Sequence, residues 1–337
     1  MQRMISKVAI AYNIQKEVKK GKPKDIYAEF DTLETVNAIK KAISRRYKVS
    51  LIEADEDCYK KFKSEKPDVV FNIAEGLHGR NREAQIPLML EMLKITYTGS
   101  GPLALALCLD KSKTKEILEY YKIPTPRFQV INSLKDKLNK KLKYPLILKL
   151  LHEGSSMGLS KENIVRNQNE LRRIFKKLFL NYKEPVLVEE FLTGKEFTIG
   201  IIGNKPKVLG MIEIYLDKYP NQFDALTYEA KGVKYDDIYS GKPRISKKLH
   251  EKICEIALKT HTVLGCRDFS RLDIRCDAKD NPYVLEINPL PGLSPSMEHI
   301  SFFPKIARIN KINYEKLINM MLNASIKRIK SERIHLE

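Results

Sequence analysis

Long apolar runs are missing from this 337-residue sequence. No segment approaches the roughly 18 consecutive apolar residues that a membrane-spanning helix requires. The apolar segment at residues 8–14, VAIAYNI, is too short and too soon interrupted for a secretory signal peptide. We therefore expect no membrane partner and a cytoplasmic location.

Cysteine is scarce, with only five residues, and no two of them form a CxxC pair. An odd number of widely spaced cysteines argues against a disulfide framework and against a structural zinc site. We expect reduced, mostly buried thiols at Cys58, Cys108, Cys254, Cys266 and Cys276.

Acidic residues are outnumbered, which gives a formal net charge of +19. The lysines are spread over residues 16–24, 135–143, 247–259 and 327–330, without the interleaved aromatic residues of a single-strand binding platform. We expect no nucleic-acid partner. A positive field that attracts nucleotides and carboxylates explains the charge more simply.

The first hundred residues alternate between strand-like and helix-like segments. The strand-like segments are 7–14, 48–54, 69–74 and 95–101, and the helix-like segments are 32–46, 56–64 and 83–94. This alternation predicts an α/β protein with a parallel sheet covered by helices on both faces. Ligands of such sheets gather at the carboxyl ends of the strands.

Pro124 and Pro126 follow a predicted helix that begins at Asp110 and ends at Tyr121, and they mark a boundary. The chain then predicts strands at 128–131, 145–150 and 186–192, with a lysine-rich helix after the first and a long helix near 168–181. Residues 197–203, 207–216 and a final hairpin predict a large antiparallel sheet that helix 246–264 crosses.

Lys149 ends a predicted strand and precedes a Gly and Ser loop at residues 152–159. Glycines at 154 and 158 let the backbone approach phosphates, and serine hydroxyls and exposed amides donate to them. The sequence contains no GxxxxGK[ST], so this is not a Walker A loop. The alternative is a flexible surface loop without a ligand.

The strand VLVEEFL at 186–192 ends in Glu189 and Glu190, and Glu196 follows a Thr-Gly turn. A strand backbone supplies the acceptor and donor that an adenine edge needs, and a nearby carboxylate accepts from ribose hydroxyls. The alternative is a strand end solvated by glutamates. Lys231 adds one possible phosphate contact, or is an ordinary surface lysine.

Two strand-like segments, 270–277 and 283–292, carry the most informative pattern. Side chains alternate along a strand, so a hairpin folding at AKDNP brings Asp273, Glu286 and Asn288 together. Two carboxylates and an amide oxygen suit Mg²⁺ that is bound together with a nucleotide. The alternative is a structural hairpin with an ion pair.

Eight motifs in one order resemble the D-alanine-D-alanine ligase family of the ATP-grasp superfamily. They are LHGR (77–80), YTGSG (97–101), LDKSKTK (109–115), EGSSMGLS (153–160), EEFLTGKEFT (189–198), YEAK (228–231), RLDI (271–274) and EINPLPGL (286–293). The resemblance implies an α/β ATP-grasp fold with an N-terminal Rossmann-like domain at 1–110. A central ATP-grasp subdomain would follow at 111–192 and a C-terminal catalytic subdomain at 193–337.

The resemblance also implies roles for single residues. Nucleotide contacts would come from Lys111, Lys149, Ser155, Ser156, Met157, Gly158, Glu189, Glu190, Leu192, Glu196 and Lys231. Asp273, Glu286 and Asn288 would bind two Mg²⁺ ions, for which Mn²⁺ is a substitute. Arg271 and the amide of Gly292 would stabilise an oxyanion, Ser155 and Lys231 would assist catalysis, and His78 and Glu83 would contact the first substrate.

The implied reaction joins two amino acids through an acylphosphate, with release of ADP and phosphate, in cell-wall precursor synthesis. The implied partners are small amino acids and a second copy of the chain in a homodimer. Two further hypotheses remain: a ligase for a different amino acid or peptide pair, and a non-catalytic ATP-binding regulator.

Three departures from the family pattern concern the substrates. Gly232 stands where a lid tyrosine is usual, and Met297 where a serine usually holds the second substrate's carboxylate. The acid that receives the first amino group is not placed by the motifs, although Asp25 and Glu29 lie nearby.

Overall fold

The computed structural model describes residues 5–18, 21–215, 240–296 and 301–334 of the protein. Lys231, Gly232 and Met297, which the sequence singled out, lie outside these ranges. Within the described ranges, no helix is both long enough and apolar enough to cross a bilayer.

The first sheet confirms the predicted parallel α/β arrangement. Its strands are β1 Lys7–Tyr12, β2 Lys48–Glu53, β3 Val69–Asn72 and β4 Thr96–Tyr97. They pair in parallel in the order β2-β1-β3-β4. The connecting helices are α1 Leu33–Ser44, α2 Cys58–Glu65 and α3 Gln85–Met92.

Helix α1 begins where the chain leaves the end of the sheet. The Thr32 hydroxyl caps it by accepting from the Thr35 N–H at 3.3 Å. Val36, Ile39 and Ile43 recur at helical spacing and are fully buried against the sheet. Because the cap is fixed, residues 29–32 are held at the carboxyl ends of the strands.

The second sheet is antiparallel and follows helices α4 Pro102–Leu109 and α5 Lys111–Tyr120. Its strands are β5 Phe128–Ile131, β6 Leu146–Leu150, β7 Ile164–Val165 and β8 Val186–Glu190, in the order β5-β8-β6-β7. Helix α6 Gln168–Tyr182 packs on this sheet through Leu171, Ile174, Phe175 and Leu178.

The lysine-rich helix predicted between β5 and β6 is wrong. Residues 132–143 form turns, because side chains bind the backbone in place of a helical ladder. The Asp136 carboxylate accepts from the N–H of Ser133 at 3.1 Å, and the Gln129 side chain accepts from the N–H of Asn139 at 2.7 Å.

The third sheet is antiparallel, as the sequence predicts. Its strands are β9 Glu196–Ile202, β10 Lys207–Ile214, β11 Ser240–Gly241, β12 Phe269–Cys276 and β13 Pro282–Asn288, in the order β11-β10-β9-β12-β13. Helix α7 Lys247–Val263 crosses it and buries Leu249, Ile253 and Ala257 in the same core as β9 and β12.

Two further helices, α8 Phe302–Ile309 and α9 Tyr314–Ile334, return to the first sheet. One apolar cluster joins Val8 and Ile10 of β1 with Leu317 and Met321 of α9. The first sheet therefore shares its core with the last described segment of the chain. The three ranges predicted as domains each contain one sheet, but this core crosses them, so their boundaries stay a prediction.

Asp268, which is fully buried, fastens this junction. Its carboxylate accepts from the Gly99 N–H at 2.9 Å, from the Ser325 hydroxyl at 2.6 Å and from both Nε and Nη2 of Arg328. One side chain therefore ties the end of β4, the start of β12 and helix α9 together.

Candidate active site

Strands β12 and β13 bring the three predicted metal ligands together. Asp273 pairs directly with Glu286, and Arg271 pairs directly with Asn288. Directly opposed residues of antiparallel strands share one face of a sheet, with Cβ atoms about 5 Å apart. Two acids, a guanidinium and an amide therefore form one cluster.

Arg271 lies between the two carboxylates. Its Nη2 is 3.0 Å from Asp273 Oδ2 and 3.8 Å from Glu286 Oε1. The Thr198 hydroxyl donates to the other oxygen of Asp273 at 2.8 Å. The arginine thus offsets the repulsion between the two neighbouring carboxylates and keeps them on one face of the sheet.

The donor set of this cluster fits a hard divalent cation. The Asn288 amide oxygen accepts from the Leu290 N–H at 3.0 Å and keeps a second lone pair for a metal. Within the described ranges, no three His, Cys, Asp or Glu side chains are grouped as metal ligands. An ion here would therefore use Asp273, Glu286 and the amide, and complete its shell with water or phosphate oxygens.

Glu189 connects Lys149 of strand β6 with Lys115 of helix α5. Its carboxylate lies 2.5 Å from Lys149 Nζ and 2.8 Å from Lys115 Nζ. Burial opposes ionisation of Glu189, but the two lysines outweigh burial and lower its pKa. The carboxylate that the resemblance assigns to the nucleotide therefore pairs with Lys149 and holds it in position.

Glu196 has a comparable partner. It is buried, and its Oε2 accepts from Arg275 Nη1 at 3.1 Å. Arg275 also stacks 4.6 Å from the centre of the Phe191 ring. Burial raises the pKa of Glu196 in spite of this arginine.

These groups line a small cavity of about 80 Å³ between the second and third sheets. Eleven of the predicted site residues contribute to its wall: Lys111, Lys149, Ser156, Met157, Glu189, Glu190, Leu192, Glu196, Arg271, Asp273 and Glu286. The nucleotide-side predictions therefore converge on one place.

The loop at 153–160 closes one side of this cavity and lies against the first sheet's loops. The Gly154 N–H donates to Glu29 Oε1 at 2.6 Å, and the Gly158 N–H donates to Asp25 Oδ2 at 2.8 Å. Ser155 and Ser156 have positive φ angles of 49° and 58°. Two acids from the N-terminal region thus fix the loop that the sequence assigned to phosphates.

Close packing disfavours a side chain at Gly154 and at Gly158. A Cβ on Gly154 would overlap the Glu29 carboxylate, and a Cβ on Gly158 would lie 3.0 Å from Leu150 Cδ1. Gly158 also has a φ of +67°, which side-chain-bearing residues rarely adopt.

A larger cavity of about 540 Å³ adjoins the first. The loops at 28–32, 75–83 and 153–155 form one wall, and the segment 286–294 forms another. Lys111, Arg271 and Glu286 line both cavities. Asn288, Gly292, Ser155 and Glu83 line the larger one.

Several acids around the larger cavity resist ionisation. Burial raises the pKa of Asp31 to about 7. Burial and repulsion from Glu29 raise the pKa of Glu83 to about 8, and burial with the same neighbour raises that of Glu75 well above its usual value. Burial therefore disfavours the charged form of these carboxyls, and the cations of the wall do not offset it.

Not every predicted residue lies at the site. His78 is exposed and lines neither cavity; its carbonyl accepts from Gln85 Nε2 at 2.7 Å. Lys231 lies outside the described residues. Sequence reasoning did not assign roles to Lys115, Arg82 or Arg275.

The sequence does contain a signal for one of these three residues. Lys115 follows Lys111 by four residues, so both lie on one face of α5. Arg82 and Arg275 carry no such signal, because the acids with which each forms ion pairs are distant in the sequence.

Comparison with known proteins gives consistent matches. The family model "D-ala D-ala ligase C-terminus" matches residues 116–323. A D-alanine-D-alanine ligase of Carboxydothermus hydrogenoformans is 34% identical over 302 residues, covering 86% of this chain and 92% of that protein. One from Pelagibacter ubique is 36% identical over 303 residues, covering 86% and 91%.

A solved structure is similar over its whole length. The D-alanine-D-alanine ligase of Bacillus anthracis, complexed with ATP, superposes with a TM-score of 0.74 at 25% identity. The match covers 98% of this chain and 100% of that chain.

Proposed function

The chain belongs to the D-alanine-D-alanine ligase family, and from this premise we propose that it joins D-alanine or a close analogue to a second amino acid. ATP would activate the first carboxylate as an acylphosphate, and the amine of the second substrate would displace phosphate. A free carboxylate does not form an amide in water, because its oxygen is a poor leaving group.

One observation carries this proposal. Arg271 and Glu286 line both the small and the large cavity, and Asp273, which pairs with Glu286, lines the small one. A nucleotide in the small cavity and an amino acid in the large one would meet at these side chains. A regulator that only bound a nucleotide would not need this junction.

The residues of the small cavity would bind the nucleotide. Lys149, which Glu189 holds in position, would bind the phosphates. Burial lowers the pKa of Lys149, but Glu189 and Glu286 outweigh burial and raise it. Lys111 donates to the Glu153 carbonyl at 2.5 Å, so its ammonium lies at the base of the loop. Glu190, Leu192 and Glu196 would contact the adenosine.

Asp273, Glu286 and Asn288 would hold Mg²⁺, which would neutralise phosphate charge during transfer. Arg271 would add a fixed positive charge beside the reacting carbonyl. The Gly292 amide lies in the wall of the larger cavity and would donate to the oxygen of that carbonyl. The docked 153–160 loop would exclude the water that hydrolyses an acylphosphate.

The test is ADP release by the purified protein with ATP, Mg²⁺ and D-alanine, with the dipeptide identified by mass spectrometry. Glu286→Gln should lower kcat/KM by at least about 100-fold, because glutamine lacks the negative charge that would hold the divalent cation against the transferred phosphate. Glu65→Gln, which changes an exposed glutamate on α2, is the matched control. Full activity of Glu286→Gln would contradict the metal assignment.

The resemblance also leads us to propose a cytoplasmic homodimer that takes part in cell-wall precursor synthesis. Sedimentation of the purified protein measures the oligomeric state. A monomer at assay concentration would remove the dimer from the proposal without affecting the chemistry.

A further inference from the structure

Lys115, on helix α5, is a cation that belongs to the wall of neither cavity described above. The residue has no exposed surface. Removing an ammonium group from water is unfavourable unless fixed partners replace the water. Lys115 therefore acts on a ligand of the small cavity only through the side chains that hold it.

Three side chains surround the Lys115 ammonium. Its Nζ lies 2.8 Å from Glu189 Oε2 and donates to Thr125 Oγ1 at 2.7 Å. It also lies 5.8 Å from the centre of the Phe128 ring, within the range of a cation–π contact. The Thr125 hydroxyl donates in turn to the Val284 carbonyl of β13 at 2.9 Å. The ammonium is thus fixed by contacts that lead to both the second and the third sheet.

Glu189 is shared between Lys115 and a second lysine, Lys149, which lies in the wall of the small cavity. Lys149 and Glu189 alone would form a neutral pair, and a neutral pair attracts phosphate only weakly. Two ammonium groups and one carboxylate leave one net positive charge. Lys115 therefore supplies the charge that Glu189 would otherwise cancel.

Two other acids raise the pKa of this wall lysine, and each has a cation of its own. They are Glu196 and Glu286. Arg275 Nη1 lies 3.1 Å from Glu196 Oε2, and Arg271 Nη2 lies 3.8 Å from Glu286 Oε1. The negative charge that remains to be offset is therefore that of Glu189.

The shared carboxylate is crowded with positive charge in the ligand-free protein. Burial lowers the pKa of Lys115 and Lys149 lowers it further, whereas Glu189 raises it. A bound anion relieves the repulsion between neighbouring cations. A lysine that only filled the core would gain nothing from a phosphate, so the binding of phosphate distinguishes the two roles.

Building on the proposed function, we propose that Lys115 is a positioning residue for the nucleotide. It shares Glu189 with Lys149, so that Lys149 presents an uncancelled positive charge to the phosphates in the small cavity. Lys115 itself stays behind the wall and contacts neither the nucleotide nor the amino acids.

The first test measures ADP affinity by isothermal titration calorimetry, with Mg²⁺ and without amino acids. Lys115→Met removes the charge and keeps a similar chain length, and we expect the Kd for ADP to rise at least about 10-fold. Lys113→Met is the matched control. Lys113 lies on the same helix, is exposed and pairs with Glu116 at 2.7 Å, so its loss should change the Kd by less than about 2-fold.

A double variant tests whether the shared charge is the cause. Lys115→Met with Glu189→Gln removes the carboxylate as well and leaves one net positive charge at Lys149. Glutamine keeps an acceptor oxygen for a nucleotide. The double variant should bind ADP several-fold more tightly than Lys115→Met alone, and equally weak binding by both would overturn the inference.

Turnover gives a second reading that a purely structural role would not reproduce. In Lys115→Met the KM for ATP should rise about 10-fold while kcat changes by less than about 3-fold, because the charge acts on bound ATP before and during transfer. A loss confined to kcat would contradict the inference. If circular dichroism shows that the methionine variant is unfolded, Lys115→Gln replaces it, because glutamine retains N–H donors for Glu189 and Thr125.

The binding measurement separates failure of this inference from failure of the ligase proposal. If Lys115→Met binds ADP as the wild type does, the inference is excluded and the ligase proposal stands. If no amino acid releases ADP but the variants differ in Kd as expected, the ligase proposal fails and the role of Lys115 in nucleotide binding is retained. If the wild type does not bind ADP, both fail.

Discussion

Replacing Glu83 by glutamine should change how the stability of the ligand-free protein depends on pH. Burial is the main reason that the pKa of Glu83 rises from 4.5 to about 8, and Glu29 and Glu153 add to it while Arg82 and Lys111 oppose it. In the unfolded chain this carboxyl ionises near its ordinary value. Between about pH 4.5 and 8 the folded state therefore binds the extra proton.

The sign follows from proton linkage. A state that binds more protons is stabilised at low pH, so the contribution of Glu83 is fully favourable below about pH 4.5. It is lost as the pH rises to about 8, where the folded protein must also ionise this buried acid. Burial of Asp31, whose pKa rises to about 7, adds a slope of the same sign.

The magnitude is bounded by the same linkage. A rise from 4.5 to about 8 corresponds to at most about 5 kcal/mol of unfolding free energy. Because neighbouring carboxyls share the proton, we expect about 2 to 3 kcal/mol. Glutamine is close in shape and never ionises, so Glu83→Gln should resemble the wild type at pH 5 and be more stable at pH 9.

The assay is urea or thermal unfolding of both proteins at pH 5, 7 and 9, without nucleotide or amino acid. Taking the difference between the two proteins removes the contributions of all other groups. Glu65→Gln should give curves parallel to the wild type. Parallel curves for Glu83→Gln would refute the reasoning, because they would mean that Glu83 ionises normally in the folded protein.

Two further changes test packing. Asp268→Asn should lower the unfolding free energy by about 3 to 5 kcal/mol, because the buried Arg328 would keep only the half-exposed Glu332 as a counter-charge. Urea unfolding measures this, and a loss below about 1 kcal/mol would contradict the role of Asp268. Gly158→Ala should cost about 1 to 2 kcal/mol through its positive φ and contact with Leu150, and should expose the 153–160 loop to limited proteolysis. An unchanged digestion pattern would show that this loop tolerates the methyl group.

The hairpin of the candidate site was predictable because it depends on local patterns. Alternation along β12 and β13 decides which residues share a face, and a short turn decides that the two faces meet. Asp273 and Glu286 consequently lie opposite each other, as the hairpin pattern required. The antiparallel third sheet was predictable for the same reason.

The grouping of acidic side chains along the larger cavity was not predictable in this way. Glu29 and Glu83 are 54 positions apart, and only the side-by-side pairing of parallel strands brings their loops together. His78 is a different case: its motif is present and its side chain is exposed, so its contact with a substrate stays a prediction. The lysine-rich helix predicted between β5 and β6 is wrong because side chains such as Asp136 bind the backbone locally, a competition that lysine content does not indicate.

The return of helix α9 to strand β1 has a consequence for how the protein is made. During ribosomal synthesis the first sheet emerges early, but the apolar face around Val8 and Ile10 waits for Leu317 and Met321. A nascent chain that stops before residue 317 exposes that face and is prone to aggregation or chaperone capture. Emergence of helix α9, rather than of the first hundred residues, therefore sets the moment at which the first sheet completes its core.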